Sequence, residues 1–333
     1  MKKNVILADH DVSDDWEYKV AIENTTNEHW DLKVCLTNRL HGNKIKEIIR
    51  YFKYFVFSFK IFLKRNEYHK IIAWQQFYGL LIAFYCKIFK VKKYPDIYVM
   101  TFIYKPKKNK IYNKFINYIV KSKYIKKLIV LAESEIDYYS NLFNIEKNKF
   151  YCIPIGVSDC SLKIKKQSDI DKFYLAVGRS NRDYTFLRNA WKKEYGKLII
   201  ISDSYNEEEK ENIVCIKNCY GDEYLQMLAN CYAEIIPLKD PEISSGSLSF
   251  LQAMMLSKPT IVTENKTVHD YIKTSENGYI IEKNEIDLEN AIILLEDKKN
   301  YERVSQNARK TFEEKYSETS LGVNTAKMIM NIK

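Results

Sequence analysis

Residues 233–263, AEIIPLKDPEISSGSLSFLQAMMLSKPTIVT, impose one connection on the chain: a strand, a loop, a helix and a second strand. The first apolar run is short and ends in Pro and charge. Leu248, Leu251, Met254 and Met255 then recur at helical spacing, and Lys258-Pro259 stops the helix before Thr260-Ile261-Val262. This is a βαβ unit. Ser244 and Ser245 are its natural N-caps, and a helix opening on Ser-Ser-Gly leaves its first backbone N–H groups free at the carboxyl end of a strand. Parallel sheets bind ligands there, and a phosphate is electrostatically favoured at such a helix end. A purely structural βαβ has the same appearance, since helix caps far outnumber ligand sites, and on this segment alone both readings stand.

The alternation extends through the chain. Strand-like runs at residues 4–8, 32–37, 69–74, 96–102, 127–131 and 150–153 are separated by helical segments at 44–66, 77–89 and 133–143, and by a Lys- and Tyr-rich helix ending near 126. Beyond a polar linker at 158–172, strands at 173–178, 197–202, 213–216, 233–238 and 279–281 join the opening unit, with helices at 222–231, 268–273, 288–295, 301–315 and 321–332. That order predicts an α/β chain of doubly wound parallel sheets. At 333 residues with 46% apolar content it exceeds one core and can fill two.

Seven cysteines, scattered and without a Cys-x-x-Cys pair, predict reduced thiols and no structural zinc. The apolar run after MKKN is too short for the core of a signal peptide, so a cytoplasmic location is expected.

Charge is divided unevenly. Residues 1–150 carry 28 Lys and Arg against 15 Asp and Glu, whereas the whole chain carries 53 against 43. Between 33 and 127 the acids are Glu47, Glu67 and Asp96, and many lysines stand among Tyr and Phe. Such a field suits an anionic surface. The segment 44–66, KIKEIIRYFKYFVFSFKIFLKRN, mixes aromatic and aliphatic residues with a cation every few positions. Lys53 and Lys60 interrupt it, which excludes a span, and two fates remain: a helix lying in a membrane interface or one packed on its own sheet. Lys105, Lys107 and Lys108 form a basic loop after the strand at 96–102, at the sheet's carboxyl end, where they need an anion, such as a membrane surface, or plain water. No nucleic-acid motif accompanies these lysines, so nucleic acid is not an expected partner.

Two further places carry candidate chemistry. Asp9-His10-Asp11 follows the first strand and fits a phosphatase nucleophile pair, a metal-binding Asp-x-Asp, or a plain polar loop and cap; no later constellation completes the first two. In the second half, the strand at 173–178 runs into Gly178-Arg179-Ser180-Asn181-Arg182-Asp183. Two arginines three apart can reach one diphosphate, or can serve as surface ion-pair partners of Asp183.

Taken together, these landmarks resemble the donor half of a GT-B glycosyltransferase, in particular glycosyltransferase family 4 of the bacterial capsule and cell-surface polysaccharide kind. The hinge Ile153-Pro154-Ile155-Gly156-Val157, the strand-Gly-Arg motif at Val177-Gly178-Arg179, the Ser-Ser-Gly to Gln-Ala-Met stretch, and Asp270-Tyr271-Ile272 before Asn277-Gly278 match in order. The resemblance implies two Rossmann-like domains facing a central cleft: residues 1–155 on the acceptor side, rejoined by a last helix at 316–333, and residues 156–315 binding the donor.

It also implies a retaining, metal-independent transferase without a cofactor, bound peripherally to the inner face of the cell membrane. Its partners would be a UDP- or GDP-sugar and a lipid-linked or polysaccharide acceptor. Gly178, Arg179, Arg182, Ser244, Ser245, Gly246, Ser247, Leu248 and Gln252 would hold the donor, with Arg179 and Arg182 neutralising the leaving diphosphate. The family's Glu-x7-Glu is altered here: Gln252 stands at the second acid, Ser244 at the first, and Glu242 two residues upstream is the acid that can replace it. The family's usual lysine five places after the motif arginine is Tyr184. These departures keep open a second expectation, a catalytically weak nucleotide-sugar-binding subunit of a polysaccharide complex.

Overall fold

The computed structural model describes residues 2–38, 40, 44–165, 167, 170–205, 210–241 and 245–332. Its strands pair in parallel into two six-stranded sheets, each within its own compact unit. One unit holds the residues up to Ile155 and those from Glu318 on; the other runs from Gly156 to Ser317.

The first unit contains β1 (Lys3–Ala8), α1 (Glu17–Thr26), β2 (Trp30–Val34), α2 (Lys44–Leu63), β3 (Tyr68–Ala73), α3 (Gln76–Ile88) and β4 (Asp96–Val99). It continues with α4 (Lys110–Val120), β5 (Ile125–Val130), α5 (Glu133–Phe143) and β6 (Phe150–Cys152). Strand order is β2-β1-β3-β4-β5-β6, which is the doubly wound arrangement. β4 is shorter than the apolar run suggests. Thr101 adopts the left-handed conformation at φ 52°, which no strand accommodates, so the ladder stops at Val99.

α1 has no counterpart among the expected helices, and its composition explains why. Its N-cap is Trp16, which makes no side-chain cap bond, and its buried face includes Lys19 beside Tyr18, Ala21 and Ile22. Lys19 is neutralised within the helix by Glu23 at 2.9 Å.

The chain's last helix, α11 (Glu318–Met330), packs on α1. Gly322 permits the approach, because a Cβ there would sit 2.5 Å from the carbonyl oxygen of Tyr18. The core on that face combines Trp16, Tyr18, Ile22 and Trp30 with Leu321, Met328 and Ile329. The opposite face of the sheet buries Tyr54, Ile61, Leu81, Ile116 and Phe143 from α2 to α5.

The second unit contains β7 (Phe173–Val177), α6 (Tyr184–Ala190), β8 (Lys197–Ile201), β9 (Ile213–Ile216), α7 (Gly221–Asn230) and β10 (Glu234–Ile236). After these come α8 (Ser247–Met255), β11 (Thr260–Thr263), β12 (Tyr279–Ile281), α9 (Glu285–Glu296) and α10 (Lys298–Thr311), which ends in a π-helical turn, Phe312–Tyr316. Strand order is β12-β11-β10-β7-β8-β9. The β10-α8-β11 segment is the βαβ unit read from the sequence, with Ile235 paired to Ile261.

Candidate functional site

In the second sheet, successive connections run from β7 to β8 and β9 on one side, and from β10 to β11 and β12 on the other. The crevice outside the carboxyl ends of β7 and β10 is therefore the switch point where such sheets hold ligands. Gly178 leaves β7 at φ 132°, and the first turn of α8 approaches from beyond β10. Arg179, Gly246, Ser247 and Leu248 belong to these two segments, and Gln252 follows in the next turn of α8.

The two arginines expected to share a diphosphate have different fates. Arg182 folds back into its own unit: Nε donates to the Val177 carbonyl at 2.9 Å, Nη1 to the Ser180 carbonyl at 3.0 Å, and Nη2 to Ser249 Oγ at 3.3 Å. Burial pushes its pKa below the usual guanidinium range, with Tyr184 and Glu234 acting the other way. Its guanidinium lies so close under Gly178 that a Cβ there would stand 2.8 Å from Cζ. Arg182 is thus a staple between the β7–α6 loop and α8, drawn inward by backbone acceptors that need a donor. Arg179 is exposed and has no hydrogen bond or ion pair among the described residues. Asp183 pairs with neither arginine; it caps α6 through Phe186 N at 3.0 Å and receives Lys283 Nζ at 3.1 Å.

Asn181, between the arginines, is the organising residue that the sequence reading passed over. At φ 54° it turns the loop, and its amide Nδ2 donates to Ser245 Oγ at 2.8 Å and to the Asp240 carbonyl at 3.0 Å, while Oδ1 accepts from Asp240 N at 2.8 Å. The signal was available, since Asn is the ordinary residue after Gly for a left-handed turn. Ser245 is accordingly held from the side and is not the helix cap. Gly246 takes the N-cap position at φ 91° and, as a glycine, brings no capping side chain of its own to the first backbone N–H groups of α8. Gln252 is half-buried one turn further on. Glu242 and Ser244 lie outside the described residues. Tyr184, where a lysine was expected, donates its hydroxyl to the Gly178 carbonyl at 2.7 Å.

Beneath the crevice, Glu234 on β10 is fully buried, and neither carboxylate oxygen has a hydrogen-bond partner. Burial pushes its pKa up to about 8, against the pull of Arg182.

The first unit has its own switch point, between β1 and β3. Asp9 does not stand open as half of a metal pair: its carboxylate accepts from Gln75 Nε2 at 3.1 Å and lies 3.3 Å from His10 Nδ1. His10 in turn faces the rings of Trp16 and Trp74 at 5.4 and 5.7 Å. Among the described residues no three His, Cys, Asp or Glu gather as a metal site. Lys105, Lys107 and Lys108 are exposed on the loop between β4 and α4. Asn113 shapes that loop, accepting from Lys107 N at 2.9 Å, and Asn109 caps α4 through Ile111 N at 2.9 Å.

Residues 163–311 match the family described as Glycosyl transferases group 1, the whole match falling within the second unit. Among curated proteins no sequence matches the chain. Solved structures do. The Anabaena protein Alr3699/HepE in complex with UDP aligns at a TM-score of 0.67 and 12% identity, over 99% of this chain and 100% of its own. Sucrose-phosphate synthase from Thermosynechococcus elongatus aligns at 0.67 and 13%, over 99% of both chains. The lipopolysaccharide outer core galactosyltransferase WaaB aligns at 0.60 and 14%, over 98% of this chain and 100% of its own. The architecture is therefore GT-B, two Rossmann-like domains, and the match to the glycosyl transferases group 1 model falls on the second of them.

Proposed function

We propose that this chain is a retaining, metal-independent glycosyltransferase that moves a hexose-type sugar from a UDP- or GDP-sugar to a lipid-linked or polysaccharide acceptor in surface polysaccharide synthesis. The observation that carries the reading is the crevice at the β7/β10 switch point, where exposed Arg179 and the N-terminus of α8 at Gly246 stand on loops fastened by Arg182 and Asn181. Developing negative charge on a leaving diphosphate is stabilised by donors that are already in place.

In the transfer, the acceptor hydroxyl oxygen bonds to the anomeric carbon on the face from which the donor departs. The bond from that carbon to the β-phosphate oxygen breaks, and the nucleoside diphosphate leaves with the electron pair. The acceptor proton passes to the departing phosphate or to solvent. Arg179 neutralises the diphosphate, Gly246, Ser247 and Leu248 present backbone N–H groups, and Gln252 exchanges hydrogen bonds with ribose hydroxyls. Glu242 supplies the acid that Ser244 cannot.

The test is a screen of nucleoside diphosphates and their sugars for thermal stabilisation, in which a ligand at about a hundred times its dissociation constant adds about 2.7 kcal/mol. Donor turnover that persists in EDTA supports the reading. Loss of turnover restored by manganese or magnesium overturns metal independence, and no stabilisation by any nucleoside diphosphate overturns the donor site.

Membrane attachment through α2 belongs to the same proposal. Tyr54, Ser58 and Ile61 face the core, while Ile45, Ile48, Phe52, Val56, Phe59 and Leu63 form an exposed apolar stripe on the other side. Lys46, Lys53 and Lys60 follow one edge of it at seven-residue intervals. No described helix is long and apolar enough to cross a membrane. An amphipathic surface of this kind lies in the interface, with its lysines on anionic headgroups. A recess lined by Lys87, Lys90, Lys92, Lys121 and Lys123 adds cations beside exposed Ile88 and Phe89.

One observation favours the second reading, a nucleotide-sugar-binding accessory subunit: of the two motif arginines, only Arg179 is open to a ligand. Turnover by the purified chain separates the two.

A further inference from the structure

The first unit contains an opening that the donor chemistry does not use. Between α2 and the first turns of α3 and α4 lies a groove of about 320 Å³, walled by Tyr51, Tyr54, Phe55, Phe77, Ile111 and Phe115. That volume lies at the lower end of the range for ligand sites. Its accessible wall is wholly apolar. Asn109, which also lines the groove, turns its Oδ1 into α4, where it accepts from Ile111 N and Tyr112 N. Tyr54 and Phe77 stack at 5.5 Å along the groove.

Two further observations identify an occupant. The groove opens at the start of α3 and α4, which follow β3 and β4, and so at the carboxyl end of the sheet, where α/β domains present ligands. Its rim is basic. Lys107 lies 4.4 Å over the ring of Tyr112, and Lys105, Lys108 and Lys110 are exposed, with no partner among the described residues. An apolar slot edged by exposed ammonium groups complements a molecule with a long apolar chain and an anionic head. A polysaccharide would find no hydrogen-bond partner on this wall. Bulk phospholipid has the exposed stripe of α2 to meet, which points away from the core face.

We propose that the groove holds the hydrocarbon chain of a lipid-phosphate-linked acceptor, with its phosphate on the lysines of residues 105–110. This rests on the glycosyltransferase reading and selects the lipid-linked class over the polysaccharide class.

The test uses the full chain and calorimetry with farnesyl phosphate, inorganic phosphate and UDP as separate titrants. Farnesyl phosphate binds, and inorganic phosphate at equal concentration gives no heat. Ile111→Glu and Phe55→Glu each weaken farnesyl phosphate by about tenfold or more, since a carboxylate cannot be desolvated in the slot, and leave UDP affinity unchanged. Ile111 is 80% exposed, so its replacement does not threaten the fold. Lys105→Ser with Lys108→Ser weakens binding and flattens its salt dependence. Phe52→Ser, on the α2 stripe, leaves farnesyl phosphate affinity intact.

If UDP binds and farnesyl phosphate does not, the groove assignment falls and the donor reading stands. If no nucleoside diphosphate binds while farnesyl phosphate does, the groove stands and the donor reading falls. Wild-type affinity in Ile111→Glu overturns the groove, and equal affinity for dihexanoyl phosphatidylglycerol overturns the acceptor as its occupant.

Discussion

Both sheets have six parallel strands whose order reverses once, yet the two units place their charge in opposite ways. The second unit folds charge inward. Arg182 bonds to two carbonyls and a serine of its own loops, and Glu234 is sealed in β10 below it. The first unit displays charge: Lys105, Lys108 and Lys110 stand in solvent beside apolar surface that is exposed as well. A phosphate has one shape, so the loops around it repay being fastened by a few exacting residues. On the proposed function the first unit meets an acceptor or a lipid surface, which varies, and a field of lysines over an apolar face suits such a partner without a fixed geometry. The same scaffold therefore carries a readable motif in one half and only a compositional bias in the other.

The largest effect that tests this contrast comes from Glu234. Its carboxyl, near 4.5 in the unfolded chain, is pushed up to about 8 by burial. Between those values the unfolded chain has released a proton that the folded chain keeps. Stability therefore falls as pH rises through that window, by on the order of 1.4 kcal/mol per pH unit, and levels off above about 8. Glu234→Gln removes the slope. Urea denaturation at pH 5, 6.5 and 8 measures it, and a slope unchanged in the variant places the titration elsewhere.

Next comes Arg182→Ala, which strips a donor from three acceptors and leaves the Val177 carbonyl without its guanidinium. The expected cost is about 3 kcal/mol or more, with donor affinity lost as the loop loosens. Lys60→Ala, on the displayed side, stays within about 0.5 kcal/mol of wild type. Equal losses in the two variants would dissolve the contrast.

Arg179→Ala separates binding from folding. An exposed cation without a partner contributes little to stability, so the melting temperature holds. Affinity for the nucleoside diphosphate drops about ten- to a hundredfold in calorimetry, the value of a charge-assisted hydrogen bond of roughly 1.5–3 kcal/mol. Unchanged affinity removes Arg179 from the site.

The two motif arginines also show how much was legible. Strand and helix alternation, the switch-point crevice and the Gly178-Arg179 motif came from apolar periodicity and spacing, which local sequence carries. Spacing placed Arg182 near the crevice but could not say where its guanidinium points, because that depends on backbone carbonyls supplied by the fold. Asn181 was passed over between two charged neighbours, and α1 because a buried lysine and an uncapped start disguise its face. The span of α2 was plain, but its two faces were not. Aromatic residues occupy both, and only the packing shows that Tyr54 and Ile61 are core while Phe52 and Phe59 are surface.

That last distinction yields the smallest effect and the sharpest test of the displayed face. Phe52 is 68% exposed on the α2 stripe, and Lys60 flanks it. If the stripe enters a lipid interface, the two residues contribute by different physics. The ring gains by leaving water, which does not depend on ionic strength. The ammonium gains from headgroup charge, about 1 kcal/mol near an anionic surface, and that gain fades once the Debye length shrinks with salt. Phe52→Ser should therefore weaken partitioning onto phosphatidylglycerol vesicles by about fivefold at every salt concentration. Lys60→Ser should weaken it by about fivefold at low salt and hardly at all near 0.5 M, where screening is nearly complete. Neither substitution should touch UDP affinity, since both lie in the first unit. Two variants with identical salt profiles would mean that α2 is not the docking face, and any anionic partner of the basic half would then be met through the loops alone.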